Sequence, residues 1–259
     1  MNSKKYKTIL QSGVWLILLA VLIVSMGFIN QSRKRAKCTG LSIDISIKEG
    51  NYFIDEDDIR DFIYQSSGDP IGGFLGKIDL ELMEYDLERM DAVSNAEVYS
   101  DLKGHIKIDI EQRIPIARIF YKDAKSIYMD DQGEMMSLSS KFTARVIVIN
   151  GNVPSPYLIN TDEKIKDPDW LKLNSLINTI RNDEFLNAQF EQVYINTNNE
   201  YELIPRVGRH IILFGKGNDI DKKFRKLKLF YKEGISKVDW NKYKQIDLRF
   251  NDQIVCAKR

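Results

Sequence analysis

Hydrophobic and polar positions change period repeatedly along the chain. The first break is the sharpest. Thr8 to Ser32 carries no charge and Val14 to Ile29 is apolar almost throughout, between Lys4-Lys5-Lys7 and Arg33-Lys34-Arg35. A helix of roughly 20 apolar residues spans the ~30 Å core of a bilayer, so residues 8–32 are expected to cross a membrane once, after a tail at 1–7. No comparable stretch follows. Leu41-Ser42-Ile43-Asp44-Ile45-Ser46-Ile47 alternates strictly, the period of a strand with one buried face. Gly50-Asn51 turns the chain. Asp55, with Asp58 three residues on, then caps a helix whose buried stripe is Ile59, Phe62 and Ile63. That helix stops at Ser66-Ser67-Gly68-Asp69-Pro70. Asp79 caps a second helix carrying Leu80, Met83, Leu87 and Met90 on one face. Val93 to Tyr99 and His105 to Gln112 read as strands around an Asp101–Gly104 turn, and Ile106, Ile108 and Ile110 alternate with charge. Strand, helix, helix, strand, strand predicts two helices on one face of a three-stranded sheet.

Beyond Phe120 the rhythm is mixed. Ser126 to Asp130 is a strand, and Asp131-Gln132-Gly133 turns it into Glu134 to Leu138. Arg145 to Asn150 is a buried strand closed by Gly151. Asp167-Pro168-Asp169 starts a helix through Leu171, Leu176, Ile177 and Ile180, and Phe185 to Phe190 reads as a connector. Strands are predicted over Gln192–Asn196, Glu200–Pro205 and His210–Gly215, then a helix over Ile220–Glu233 that buries Phe224, Leu227, Phe230 and Tyr231. A last strand over Gln245–Val255 closes the pattern, with Ile246, Leu248 and Phe250 on one face and Asp247, Arg249 and Asn251 on the other.

Charge narrows the partners. The formal net charge is +1 and no basic stripe stands out, which excludes ordinary nucleic-acid binding. The apolar N-terminal run reads as a tether rather than a cleaved signal. Its small-x-small site, Ser25-Met26-Gly27, lies inside the run, and a basic cluster follows. Cys38 follows Arg35-Ala36-Lys37 and not a lipobox, and with Cys256 it reads as one of two unpaired thiols. Flanking charge leans toward keeping the large region inside, with Lys4, Lys5 and Lys7 before the run and Arg33, Lys34, Arg35 and Lys37 after it.

Candidate chemistry fails at each test. Gly76-Lys77 resembles a phosphate loop, but Ile71 stands where its first glycine belongs and Ile78 where its Ser or Thr belongs. The Asp55–Asp58 acids lack the glycine and distal glutamate of a calcium loop. His105 and His210 each open a predicted strand, where a solvated strand end is expected, and neither has a second ligand at metal spacing. No catalytic, cofactor or metal residues are assigned.

The element order, with the exit Glu111-Gln112-Arg113-Ile114-Pro115-Ile116-Ala117, resembles the POTRA domain of the bacterial division protein family FtsQ (DivIB). Gly68-Asp69-Pro70-Ile71-Gly72-Gly73 is similar to a loop of the Bacteroidetes members, and Asp247-Leu248-Arg249-Phe250 to the family's terminal strand. The implied fold class is α+β: a single transmembrane helix, a POTRA domain at 41–119 (β-α-α-β-β) and a second mixed α/β domain at 120–259 ending in an edge strand. Arg113 and Pro115 would form the domain hinge. The resemblance further implies a non-catalytic scaffold at the division septum. It would be anchored in the inner membrane with its bulk in the periplasm, binding the single-pass proteins FtsB and FtsL to position and regulate septal peptidoglycan synthesis. Its docking residues would be Phe230, Tyr231, Gln245, Ile246, Asp247, Leu248, Arg249, Phe250, Asn251, Asp252 and Gln253. A POTRA-type chaperone module for envelope proteins and an unrecognised periplasmic enzyme stay open as alternatives.

Overall fold

A computed structural model describes residues 15, 17–21, 35–48, 50–123, 125–153, 167–234 and 240–259. The expected membrane crossing at 8–32 lies outside the described residues apart from Trp15 and residues 17–21, which are helical. Among the described residues no helix is long and apolar enough to cross a membrane.

The chain divides into two units, one of residues 1–46 and 54–112, the other of 47–53 and 113–259. In the first, β1 (Gly40–Ser46) leads to α1 (Glu56–Ser66), a single 3-10 turn at Leu75–Lys77, α2 (Leu80–Glu88), β2 (Val93–Ser100) and β3 (His105–Gln112). The predicted caps are present. Asp55 and Asp58 form a reciprocal capping box at the start of α1, and Asp79 accepts from Leu82 N–H at the start of α2. Each satisfies backbone donors that the helix itself leaves open. β3 is central, parallel to β1 and antiparallel to β2. Ile59, Ile63, Met83 and Leu87 of the helices and Ile106, Ile108 and Ile110 of β3 are almost wholly removed from water and share one core.

The second unit is built on a nine-stranded sheet in the order β12-β11-β10-β9-β8-β7-β4-β5-β6. Its strands are β4 (Pro115–Phe120), β5 (Ser126–Asp130), β6 (Met135–Met136), β7 (Ile147–Gly151), β8 (Phe190–Ile195), β9 (Tyr201–Pro205), β10 (Ile211–Gly215), β11 (Tyr243–Asp247) and β12 (Val255–Lys258). Three helices intervene: α3 (Pro168–Arg181), α4 (Glu184–Gln189) and α5 (Ile220–Glu233). Pro115 has no N–H for a ladder and restricts Ile114 to extended backbone. The chain changes sheets at that point, β3 pairing in the three-stranded sheet and β4 in the large one. Trp170, Leu173, Leu176, Ile177 and Ile180 of α3 and Phe224, Leu227 and Tyr231 of α5 join the apolar strand residues in one core. The Trp170 indole N–H donates to Gly133 C=O at 2.8 Å, fixing the start of α3 to the β5–β6 turn.

Two expectations are corrected. Phe185 to Phe190 is a helix capped by Asp183 and then the first residue of β8, not a plain connector. The single terminal strand is two strands, β11 and β12, joined by a loop.

Candidate protein-docking edge

The break in the terminal strand begins at Asp247. Its carboxylate accepts from the Arg249 backbone N–H at 3.0 Å, the local turn that Asp forms with a residue two positions on. The Arg249 guanidinium closes back on the same carboxylate through Nε at 3.0 Å and Nη2 at 2.7 Å, and reaches Glu200 through Nη1 at 3.0 Å. Lys226 of α5 donates to the carbonyls of Phe250 at 2.6 Å and Asn251 at 3.1 Å, holding the loop against the helix. Burial would raise the Asp247 carboxyl, but the Arg249 hydrogen bonds outweigh it and hold Asp247 below the usual carboxylate range. The same bonds raise Arg249.

β11 is therefore interior, parallel to β10 on one side and antiparallel to β12 on the other. Among the described residues β12 is one edge of the sheet, opposite the two-residue β6, and sequence reasoning placed it only in part. Backbone direction follows from two hydrogen bonds. Leu248 N–H donates to Leu213 C=O and Arg259 N–H to Lys242 C=O. By alternation, Val255 and Ala257 turn their backbone groups inward, while Cys256 and Lys258 turn theirs away from the sheet. A row of backbone groups so presented is what an added strand pairs with.

The docking residues expected from sequence separate into three sets. Ile246 and Leu248 are wholly buried core, and Tyr231 is nearly so. Asp247, Arg249 and the half-buried Gln245 and Phe230 hold the edge in place, Phe230 packing at a tilt against Tyr243 with ring centroids 6.0 Å apart. Phe250, Asn251, Asp252 and Gln253 are exposed, as is the 41% exposed Arg249 side chain, and Phe250 is 46% exposed rather than on the core face. Outside the set expected from sequence, Lys258 of β12 and Lys222, Arg225, Leu229 and Lys232 of α5 are also exposed, Lys222 lying 3.6 Å from Asp252. The Asn251-Asp252 pair, a common turn signal inside the presumed strand, could have shown the break.

His210 also departs from expectation. It is buried, not solvated, because Tyr231 of α5 covers it, its Nε2 lying 2.7 Å from the Tyr231 hydroxyl. Burial pushes its pKa down, the Trp240 backbone pulls up and Arg259 pushes down, leaving it below the ordinary histidine value. Tyr231 is raised by the same burial. The expected hinge residues sit in the second unit. Arg113 donates to Asp130 at 2.9 Å and Glu134 at 3.1 Å, and Pro115 is buried opposite Asp130.

Among the described residues, no group of three or more His, Cys, Asp and Glu could hold a metal ion. A cleft of about 400 Å³ beside Asn150, Asn152 and Tyr194 has Lys122 as its one cationic wall residue and no carboxylate or histidine. Cys38 and Cys256 are free thiols. Residues 114–257, more than half of the chain, match the family described as FtsQ/DivIB, C-terminal related, and residues 36–111 match the POTRA-like domain. No curated protein matches the chain.

Proposed function

Because the chain belongs to the FtsQ/DivIB C-terminal related family, and so has a role in cell division, we propose that it is a membrane-anchored scaffold of the bacterial divisome. Its POTRA-like and FtsQ/DivIB regions belong to families that are generally non-catalytic. In this reading residues 8–32 cross the inner membrane and the two units stand in the periplasm at the septum. Single-pass partners of the FtsB and FtsL type dock on the second unit, and the assembly positions and regulates septal peptidoglycan synthesis.

The observation that carries the reading is β12. It lies at one edge of the sheet, at the end of the family-matched region, and turns the backbone groups of Cys256 and Lys258 outward. An incoming strand would pair there, with Phe250 and the exposed face of α5 beside it. The large sheet needs no donor from either residue, so proline at these positions removes only an outward N–H. Lys258→Pro and Cys256→Pro chains that melt like the unsubstituted protein should lose co-purification with an FtsB-type partner. Unchanged co-purification in both would rule out strand addition at β12. Leu248→Pro is unsuited to this purpose, since it also deletes the bond to Leu213 inside the sheet.

A further inference from the structure

The chain enters the first unit through residues 36–39, and two turns are stitched to that entry. On one side Cys38 N–H donates to Gly73 C=O at 2.7 Å, Gly72 N–H to Cys38 C=O at 2.8 Å and Leu75 N–H to Ala36 C=O at 2.9 Å. On the other, Thr39 N–H donates to Gly104 C=O at 2.9 Å and the Thr39 hydroxyl to Lys103 C=O at 3.2 Å. Gly104 takes φ +91° where it faces the Lys37 carbonyl, a close approach that a side chain would block. The glycine-rich loop at 71–77 is thus fastened to the entry segment and not merely a link between helices.

Both turns aim large apolar side chains into open space. Ile71 is 46% exposed, Phe74 45% and Leu102 81%. Lysines stand among them. Lys37 and Lys77 lie 6.0 and 5.9 Å from the centre of the Phe74 ring, and Lys103 follows Leu102. The acids nearby are turned inward to their own backbones, Asp69 accepting from Ile71 N–H and Asp101 from Lys103 and His105 N–H. Ala36 is four residues past Ser32, a reach of roughly 14 Å at most. Exposed apolar side chains ringed by ammonium groups, this close to a bilayer, have the composition of an interfacial anchor.

From this the geometry points to a second membrane contact: Ile71, Phe74 and Leu102 enter the interfacial layer of the bilayer while Lys37, Lys77 and Lys103 engage anionic lipid phosphates. The inference rests on the reading that residues 8–32 cross the membrane, but not on which side the domain stands. It gives the first unit a fixed end against the lipid. The far end of the same sheet, at Asn95 and Glu111, lies six residues along β1 and β3 from the Gly40–His105 row, roughly 20 Å away.

The test uses the full chain in vesicles of phosphatidylcholine with and without phosphatidylglycerol. Single nitroxide labels go at Ile71→Cys, Leu102→Cys and, as the distal control, Asn95→Cys, in a background of Cys38→Ala and Cys256→Ser. With phosphatidylglycerol present, labels at 71 and 102 should show a several-fold higher ratio of oxygen to nickel-chelate accessibility than the label at 95. Lys37→Gln/Lys77→Gln/Lys103→Gln should shrink that difference. Vesicle-bound chain whose labels at 71 and 102 are as wet as that at 95 overturns the contact and leaves the tether standing. Chain that does not float with vesicles overturns both. Hydrogen exchange on the unsubstituted chain gives the same answer without cysteines. Amides at 70–78 and 101–104 should be slowed in the anionic vesicles relative to phosphatidylcholine alone, and equal rates overturn the contact.

Discussion

Arg249, expected from sequence to dock a partner, also serves the fold. Its guanidinium joins Asp247, whose side chain is 12% exposed, to Glu200 just before β9. Truncation leaves a nearly buried carboxylate without its cation, a loss that exceeds that of a surface pair. Arg249→Ala should cost about 1–3 kcal/mol in urea unfolding, with Arg249→Lys recovering only part because an ammonium cannot fork onto two oxygens. Asp247 titrates low in the fold, so its stabilisation is present above the unfolded value of about 3.9 and is lost as pH falls through the lower folded value. The Arg249→Ala chain should therefore show less of this acid loss. His210 has the opposite chemistry and the same sign. Its folded pKa lies below the ordinary value of about 6.5, so the unfolded chain takes up the proton first and stability declines as pH drops below about 6.5. Melting temperature should fall over that window in the native chain and stay flatter in His210→Gln. An unchanged slope would mean that the buried imidazole is not the titrating group. The sequence could not reveal this burial, because the covering Tyr231 lies 21 positions away on another element.

Elements were legible where a cap and a period agreed. Asp55 with Asp58, Asp79 and Asp167 each marked a helix start that the backbone adopts, and the alternating isoleucines of β1 and β3 pair in register, Ile43 with Ile108 and Ile45 with Ile110. The signal failed where one was missing. α4 is only six residues, too short to display a period, although Asp183 caps it. At the chain's end the alternation of Ile246, Leu248 and Phe250 continued past the point where the strand stops, since a period of two does not distinguish a strand from a loop whose next apolar residue faces water. The open face of the first sheet holds a further consequence of register. Asp44 pairs with Asp109, which pairs with Glu97, setting three carboxylates in one row across β1, β3 and β2. Like charges directly opposite are destabilising. Asp109→Asn removes the central charge while keeping an acceptor for the Tyr99 hydroxyl, which donates to Asp109 at 3.1 Å. It should raise stability by about 0.5 kcal/mol at neutral pH and low salt, an increment that shrinks as salt screens the row. Equal stability at all salt concentrations would show that the row carries no strain.

At the scale of the whole molecule the question is what the expected tether contributes beyond an address. The basic residues Arg33, Lys34, Arg35 and Lys37 after the run outnumber the lysines before it, so charge bias does not set the sidedness of the proposed scaffold. Confinement supplies a separate reason for an anchor. If the partners are themselves single-pass helices, both sides of the contact share one surface, and docking on a short edge such as Val255–Lys258 becomes an encounter at high effective concentration. A modest strand contact then suffices, which fits an edge of only four residues. Replacing residues 8–32 with a cleavable export signal separates the two roles, since the released chain keeps β12 and loses confinement. Its binding to an FtsB-type partner fragment in solution should equal that of the detergent-solubilised full chain. Capture by the membrane-bound partner in cells should fall by on the order of 10² or more. Equal capture in cells would reduce the tether to an address, whereas weaker binding in solution would place part of the docking surface within the anchor itself.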